Sequence, residues 1–181
     1  MVPTADDVLA FWFDDAGPER WYAQSDDFDA LVAERFGVLL AAATRCELSD
    51  WRCTPAGRLA EIIVLDQFSR NVWRGSAAAF AQDAAALVLA QEAIAGGHDA
   101  ALPPARRAFF YLPFMHSESA VIHAAAITLF AAPGMENNLD FEAKHRAIID
   151  RFGRYPHRNA ALGRPSTPAE VAFLAEPGSA F

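Results

Sequence analysis

Residues 26–40 read Asp26-Asp27-Phe28-Asp29-Ala30-Leu31-Val32-Ala33-Glu34-Arg35-Phe36-Gly37-Val38-Leu39-Leu40. Phe28, Leu31, Val32, Phe36, Leu39 and Leu40 recur at spacings of three and four, which lines one face of an α-helix with apolar side chains. Gly37 interrupts that face at a cost of up to ~1 kcal/mol relative to Ala, and is read as the mark of a close crossing. The same periodicity, cut by caps and breakers, continues in both directions. Upstream, Thr4 caps a short helix through Val8, Leu9, Phe11 and Trp12 that ends near Asp14-Asp15, before Gly17-Pro18.

Downstream, Thr54-Pro55 opens a helix to Phe68, with Pro55 in its first turn. Ser76 or Ala77 opens an Ala-rich helix that stops at Gly96-Gly97. Pro103-Pro104 starts another through Phe109, Phe110 and Leu112; the next two span Ser119–Ala131 and Asp140–Phe152. After an irregular stretch, Thr167-Pro168-Ala169-Glu170 is a capping box for a last short helix. No segment alternates apolar with polar residues between turn signals, so no sheet is expected. The reading is one all-α domain over residues 1–181, a compact antiparallel array of about seven to nine helices joined by short loops.

Composition narrows the class. With 53% hydrophobic and 21% charged residues the 181-residue chain is a packed protein, and fourteen Phe with four Trp give it an aromatic core. Asp6 and Asp7 stand where a secretion signal has cations, and no run reaches the ~18 apolar residues of a membrane span. Cys46 and Cys53 lack the spacing of a metal or redox motif. A cytoplasmic, non-membrane protein is expected. The net charge of −8 opposes nucleic-acid binding. Within that total, residues 144–164 carry six cations and one anion.

Four polar groups stand among apolar residues or at helix ends. Asp66-Gln67-Phe68-Ser69-Arg70-Asn71 places Asp66 and Arg70 four apart, on one helical face; a helix-end ion pair with Asn71 as a turn residue is the plain alternative. His116-Ser117-Glu118 lies between two helices and reads as an acid–base pair, or as a core histidine beside a helix start. Glu142 and His145 have the spacing of a di-iron unit, but no second copy exists; His116-x-Glu118 lacks the cysteines of a zinc deaminase. No metal and no cofactor is therefore expected. Finally, Phe152-Gly153-Arg154-Tyr155-Pro156-His157-Arg158-Asn159, extended by Leu162-Gly163-Arg164, interleaves aromatic residues with cations. Arginine forks favour carboxylate or phosphate held by two bonds; a solvated loop is the alternative. No phosphate loop and no nucleophile elbow is present.

These groups carry a resemblance. Phe11-Trp12-Phe13, Leu65–Asn71, Leu112-Pro113-Phe114-Met115-His116-Ser117-Glu118, and the run Phe152–Asn159 with Leu162-Gly163-Arg164 and Ser166-Thr167 occur in that order. Together they resemble the bacterial domain-of-unknown-function family 924 over nearly the whole chain. The resemblance implies an all-α fold related to tetratricopeptide-like helix pairs, and implies no reaction. Where family members often have Gly after Phe-Trp-Phe, this chain has Asp14, so a changed turn is expected there.

The functional reading is a pocket for a small anionic metabolite, with possible chemistry upon it. His116, Glu118 and His157 are its candidate acid–base residues; Asp66, Arg70, Asn71, His145, Arg154 and Arg158 are its candidate ligand contacts. The competing reading is a helical interaction module for an acidic peptide or protein partner, in which the polar cluster is structural.

Overall fold

Helix initiation follows the side chains that can satisfy free N–H groups. In the computed structural model, which describes residues 2–179, Thr4 and Asp7 form a capping box before helix α1 (Ala5–Ala10). Ser25 caps α3 (Asp26–Thr44), and Thr54 caps α4 (Pro55–Ile63) with Pro55 in its first turn. Thr167 and Glu170 close a second capping box on α10 (Pro168–Leu174). Between them lie α2 (Pro18–Trp21), α5 (Ser69–Val72), α6 (Asp83–Ala95), α7 (Pro104–Met115), α8 (Ala120–Phe130) and α9 (Glu136–Phe152). No strand occurs among the described residues, and no helix there is long and apolar enough to cross a membrane.

Two π-helical turns interrupt this order. One, Phe11–Ala16, continues α1; the other, Val64–Phe68, joins α4 to α5, so the helix read as ending at Phe68 runs on to Val72. A π turn adds a residue to the helical cycle and re-aims the side chains that follow. Their aromatic rings meet: Phe68 lies 5.6 Å from Trp12, 6.1 Å from Phe11 and 4.9 Å from Phe36, ring centre to ring centre. Phe109 of α7 completes the group against Trp12 at 5.8 Å. Each such ring contributes roughly 1.5–3 kcal/mol on burial.

Other boundaries moved for visible reasons. α9 starts at Glu136, not Asp140, because Met135 is buried and the Glu136 carboxylate accepts the Gly134 N–H. The Ala-rich helix begins at Asp83; Ala77–Phe80 forms a 3₁₀ turn that sets Phe80 against two arginines. The close crossing expected at Gly37 is not there, since a Cβ on it would meet open space. It occurs at Gly57, where a Cβ would stand 2.0 Å from the Trp51 carbonyl oxygen.

Gly153, in the left-handed region at φ 69°, ends α9 and turns the chain back. Tyr155 and Phe173 of the segment that follows pack with Ile148 and Ile149 of α9 in a second, small apolar cluster. The main core is built from α1, α3, α4, α6, α7 and α8.

Candidate functional site

The last turn of a helix leaves carbonyls without intrahelical donors, and at the end of α7 these are closed by residues from far along the chain. Tyr155 Oη donates to the Met115 carbonyl at 2.5 Å, and Arg158 Nη2 to that of His116 at 3.0 Å. His123 Nε2 donates to Ser117 at 2.8 Å. A guanidinium there also meets the negative end of the helix dipole. The link is doubled at Glu118, whose Oε1 accepts the Tyr155 N–H at 2.7 Å and whose two oxygens accept Arg164 at 2.7 and 2.9 Å.

On the same hub stands Asp66, delivered by the π turn of residues 64–68. Its Oδ1 lies 2.8 Å from His116 Nδ1, and Arg70 Nη1 lies 3.1 Å from the same oxygen. Burial would raise the Asp66 carboxyl, but Arg70 and His116 hold it well below the usual carboxylate range. Burial, reinforced by Arg70, keeps His116 below the ordinary imidazole value against the pull of Asp66. A carboxylate and a neutral ring fix the tautomer: Nδ1 donates, and Nε2 carries a lone pair. The ring's side-chain hydrogen bond among the described residues is the one at Nδ1, and the His116 side chain is 15% exposed.

Two guanidinium groups share one further carboxylate. Asp83 Oδ2 accepts from Arg70 Nη2 and from Arg158 Nη1, each at 3.0 Å. Arg158 is sandwiched between Phe80 and Tyr155, 4.6 Å from either ring centre, with its Nε buried and unpartnered. Around Tyr155 stand three histidine rings, His123, His145 and His157, at 6.3, 5.8 and 5.4 Å. Burial pushes His145 down to about 3 and His157 to about 4. His145 Nδ1 donates to the Phe141 carbonyl at 2.8 Å; His157 Nδ1 is buried without a partner.

Beneath this lies a fully buried pair, His123 Nδ1 to Glu142 Oε1 at 2.6 Å. Because His123 Nε2 already donates to Ser117, a second proton must lie between Nδ1 and Oε1. Glu142 is thus spent on His123, and among the described residues no three of His, Cys, Asp and Glu are grouped so as to hold a metal ion.

The chain folding therefore brings Asp66, Arg70, His116, His145, His157 and Arg158 around one hub. Two other candidates lie elsewhere, and a third, Glu118, joins the hub in another role. Asn71 Nδ2 donates to Asp29 Oδ1 at 2.7 Å, bracing α3. Arg154 closes both prongs of its fork on Glu170 at 2.6 and 2.8 Å, beside a surface depression of about 600 Å³ that none of the hub residues lines. Glu118 belongs to the hub, but Arg164 and the Tyr155 N–H outweigh its burial and hold it below the ordinary range, so it acts as an anchor. The cations of 144–164 are largely matched as well: Arg146 with Asp150, Arg154 with Glu170, Arg158 with Asp83, and Arg164 with Glu118. Sequence reasoning missed Asp83, Tyr155 and the His123–Glu142 pair. His123, the one ionisable residue in the apolar run Ala120–Ala132, was the available signal; Asp83 had none.

A family described as bacterial protein of unknown function (DUF924) matches residues 8–178. The chain belongs to the DUF924 family. A solved structure, titled as the protein of unknown function ATU0120 from Agrobacterium tumefaciens, is similar to this DUF924 chain. The two share 41% identity and a TM-score of 0.90 over 94% of this chain and 96% of that one. No curated protein matches the chain significantly.

Proposed function

We propose that the hub is a binding site for a small ligand with an anionic group, and that His116 Nε2 is its base. One observation carries the reading: Asp66, 1% exposed, orients His116 through Nδ1 and leaves Nε2 outside that bond, on a side chain that is 15% exposed. A carboxylate that fixes tautomer and ring angle is how a histidine is prepared for proton transfer. His157, neutral and unpartnered at Nδ1, supplies a second proton-handling group, and Arg70 with Arg158 anchors the ligand. A net charge of −8 favours a small ligand or protein over nucleic acid in a cytoplasmic setting.

The second reading, a purely structural brace, has an observation of its own. Tyr155, Arg158 and His123 satisfy three carbonyls at the end of α7, which a brace would do without any ligand. The peptide-module version has less support, because the strongly exposed Val38, Val88 and Val121 fall on three different helices.

The deciding experiment is a thermal-shift screen of small carboxylates and phosphates on the wild type and His116→Gln. A ligand at ~100 times its dissociation constant adds about 2.7 kcal/mol of stability. The site reading expects a wild-type response that His116→Gln weakens. A wild type silent to every compound, beside a variant that has lost its fold, leaves the brace.

A further inference from the structure

We infer that the ligand of this site bears a single carboxylate, and that it binds by displacing Asp83 from between Arg70 and Arg158. The inference rests on the binding reading above and names its ligand class. Asp83 shows that the two guanidinium groups form a carboxylate clamp, with Oδ2 held by both at 3.0 Å. It is an imperfect occupant. Its Oδ1 lies 3.0 Å from Arg70 Nη1 yet completes no hydrogen bond, and that oxygen is buried without a partner. A carboxylate free of the α6 backbone can turn its second oxygen into line with Arg70 Nη1, as Asp83 does not.

Charge sets the ligand's valence. Asp66 and Asp83 balance Arg70 and Arg158, while burial keeps the neighbouring imidazoles His145 and His157 neutral. Exchanging Asp83 for one carboxylate preserves that balance, whereas a phosphate dianion leaves a surplus negative charge beside Asp66. Unpaired buried charge is costly.

Asp83 is also the carboxylate able to leave. It is 16% exposed against 1% for Asp66, and it stands in the first turn of α6, where the helix dipole stabilises an anion turned to water. The clamp outlasts its departure, because Phe80 lies against both guanidinium groups and Tyr155 against the other side of Arg158.

The test titrates acetate and inorganic phosphate into the wild type and Asp83→Asn, following the His116 ring and the Arg70 guanidinium N–H groups by NMR. A tethered carboxylate competes at an effective concentration in the millimolar range, so Asp83→Asn should bind acetate at least about tenfold more tightly. The Arg70 N–H signals should move to the position of charge-assisted hydrogen bonds, with acetate preferred over phosphate in both proteins. An unchanged acetate affinity in a folded Asp83→Asn, or a preference for phosphate, overturns the inference. If other compounds still move the His116 signal in that case, the binding reading survives alone. If nothing moves His116 in either protein, both fall. Should Asp83→Asn fail to fold, the wild-type preference between acetate and phosphate decides the ligand class.

Discussion

Phe68 and Tyr155 are both fully buried aromatic residues, and what buries them differs in kind. Phe68 is enclosed by Phe11, Trp12 and Phe36. Tyr155 is enclosed by three histidines, an arginine and a helix end, and its hydroxyl is bonded to a carbonyl. Apolar contact is non-directional and indifferent to pH; the surroundings of Tyr155 are directional and titratable. The helical body thus supplies the frame, while the segment after Gly153 is fastened to it by hydrogen bonds and ion pairs.

The largest effect should come from breaking the frame. Phe68→Ala is expected to cost about 3–5 kcal/mol, the usual range for a large aromatic truncation, read by denaturant unfolding. A cost below that of Tyr155→Phe would mean that the polar hub, not the aromatic core, dominates stability.

Next comes pH, which should separate the two regions. His157 is held at about 4, by burial and then by Arg158, against an unfolded value of 6.5. A depressed histidine binds its proton more readily when unfolded, so its contribution is complete above pH 6.5 and lost as pH falls towards 4. The loss is roughly 2 kcal/mol by pH 5 and approaches about 3 kcal/mol near pH 4. Asp66 and Glu118 are shifted downward from ordinary values of 3.8 and 4.5, so their contributions disappear only at lower pH. Melting curves at pH 7 and 5 should therefore converge for wild type and His157→Gln as pH falls. A histidine-independent slope would assign the response elsewhere.

Tyr155→Phe is a smaller change, expected to cost about 1–3 kcal/mol because it leaves the Met115 carbonyl buried without a donor. It should loosen the segment after Gly153 before the body. Hydrogen exchange that rises equally in α3 and in 154–164 would show that the two regions unfold as one.

The same contrast explains what the sequence disclosed. The frame was legible because period, cap and breaker are local: Thr4, Thr54-Pro55 and Thr167-Pro168 each start a helix as read. The π turns were not, since no local cap or breaker marks Phe11–Ala16 or Val64–Phe68 as departing from the α period. In the hub, polar residues inside apolar runs pointed to a common place, because a buried polar group must find a partner. Their assignments were less legible. Nothing near Asn71 announces Asp29, and Asp83 opens an alanine-rich helix that looks solvated.

The smallest expected effect is a gain. Gly37 lies inside α3 with helical backbone, and a Cβ there meets nothing within 4 Å. Alanine narrows the unfolded chain's freedom without adding a clash, so Gly37→Ala should stabilise by about 0.4–1 kcal/mol. Gly57→Ala is the opposite control, because its Cβ would collide with the Trp51 carbonyl. The gain should be the same at pH 7 and pH 5, since no titratable group contributes to it. It should also add to His157→Gln without coupling, as distant independent sites do. A Gly37→Ala gain that shrank with falling pH would tie α3 to the histidine hub and erase the division between frame and fastening. A loss at pH 7 would show that the face of α3 around Gly37 is covered in solution after all.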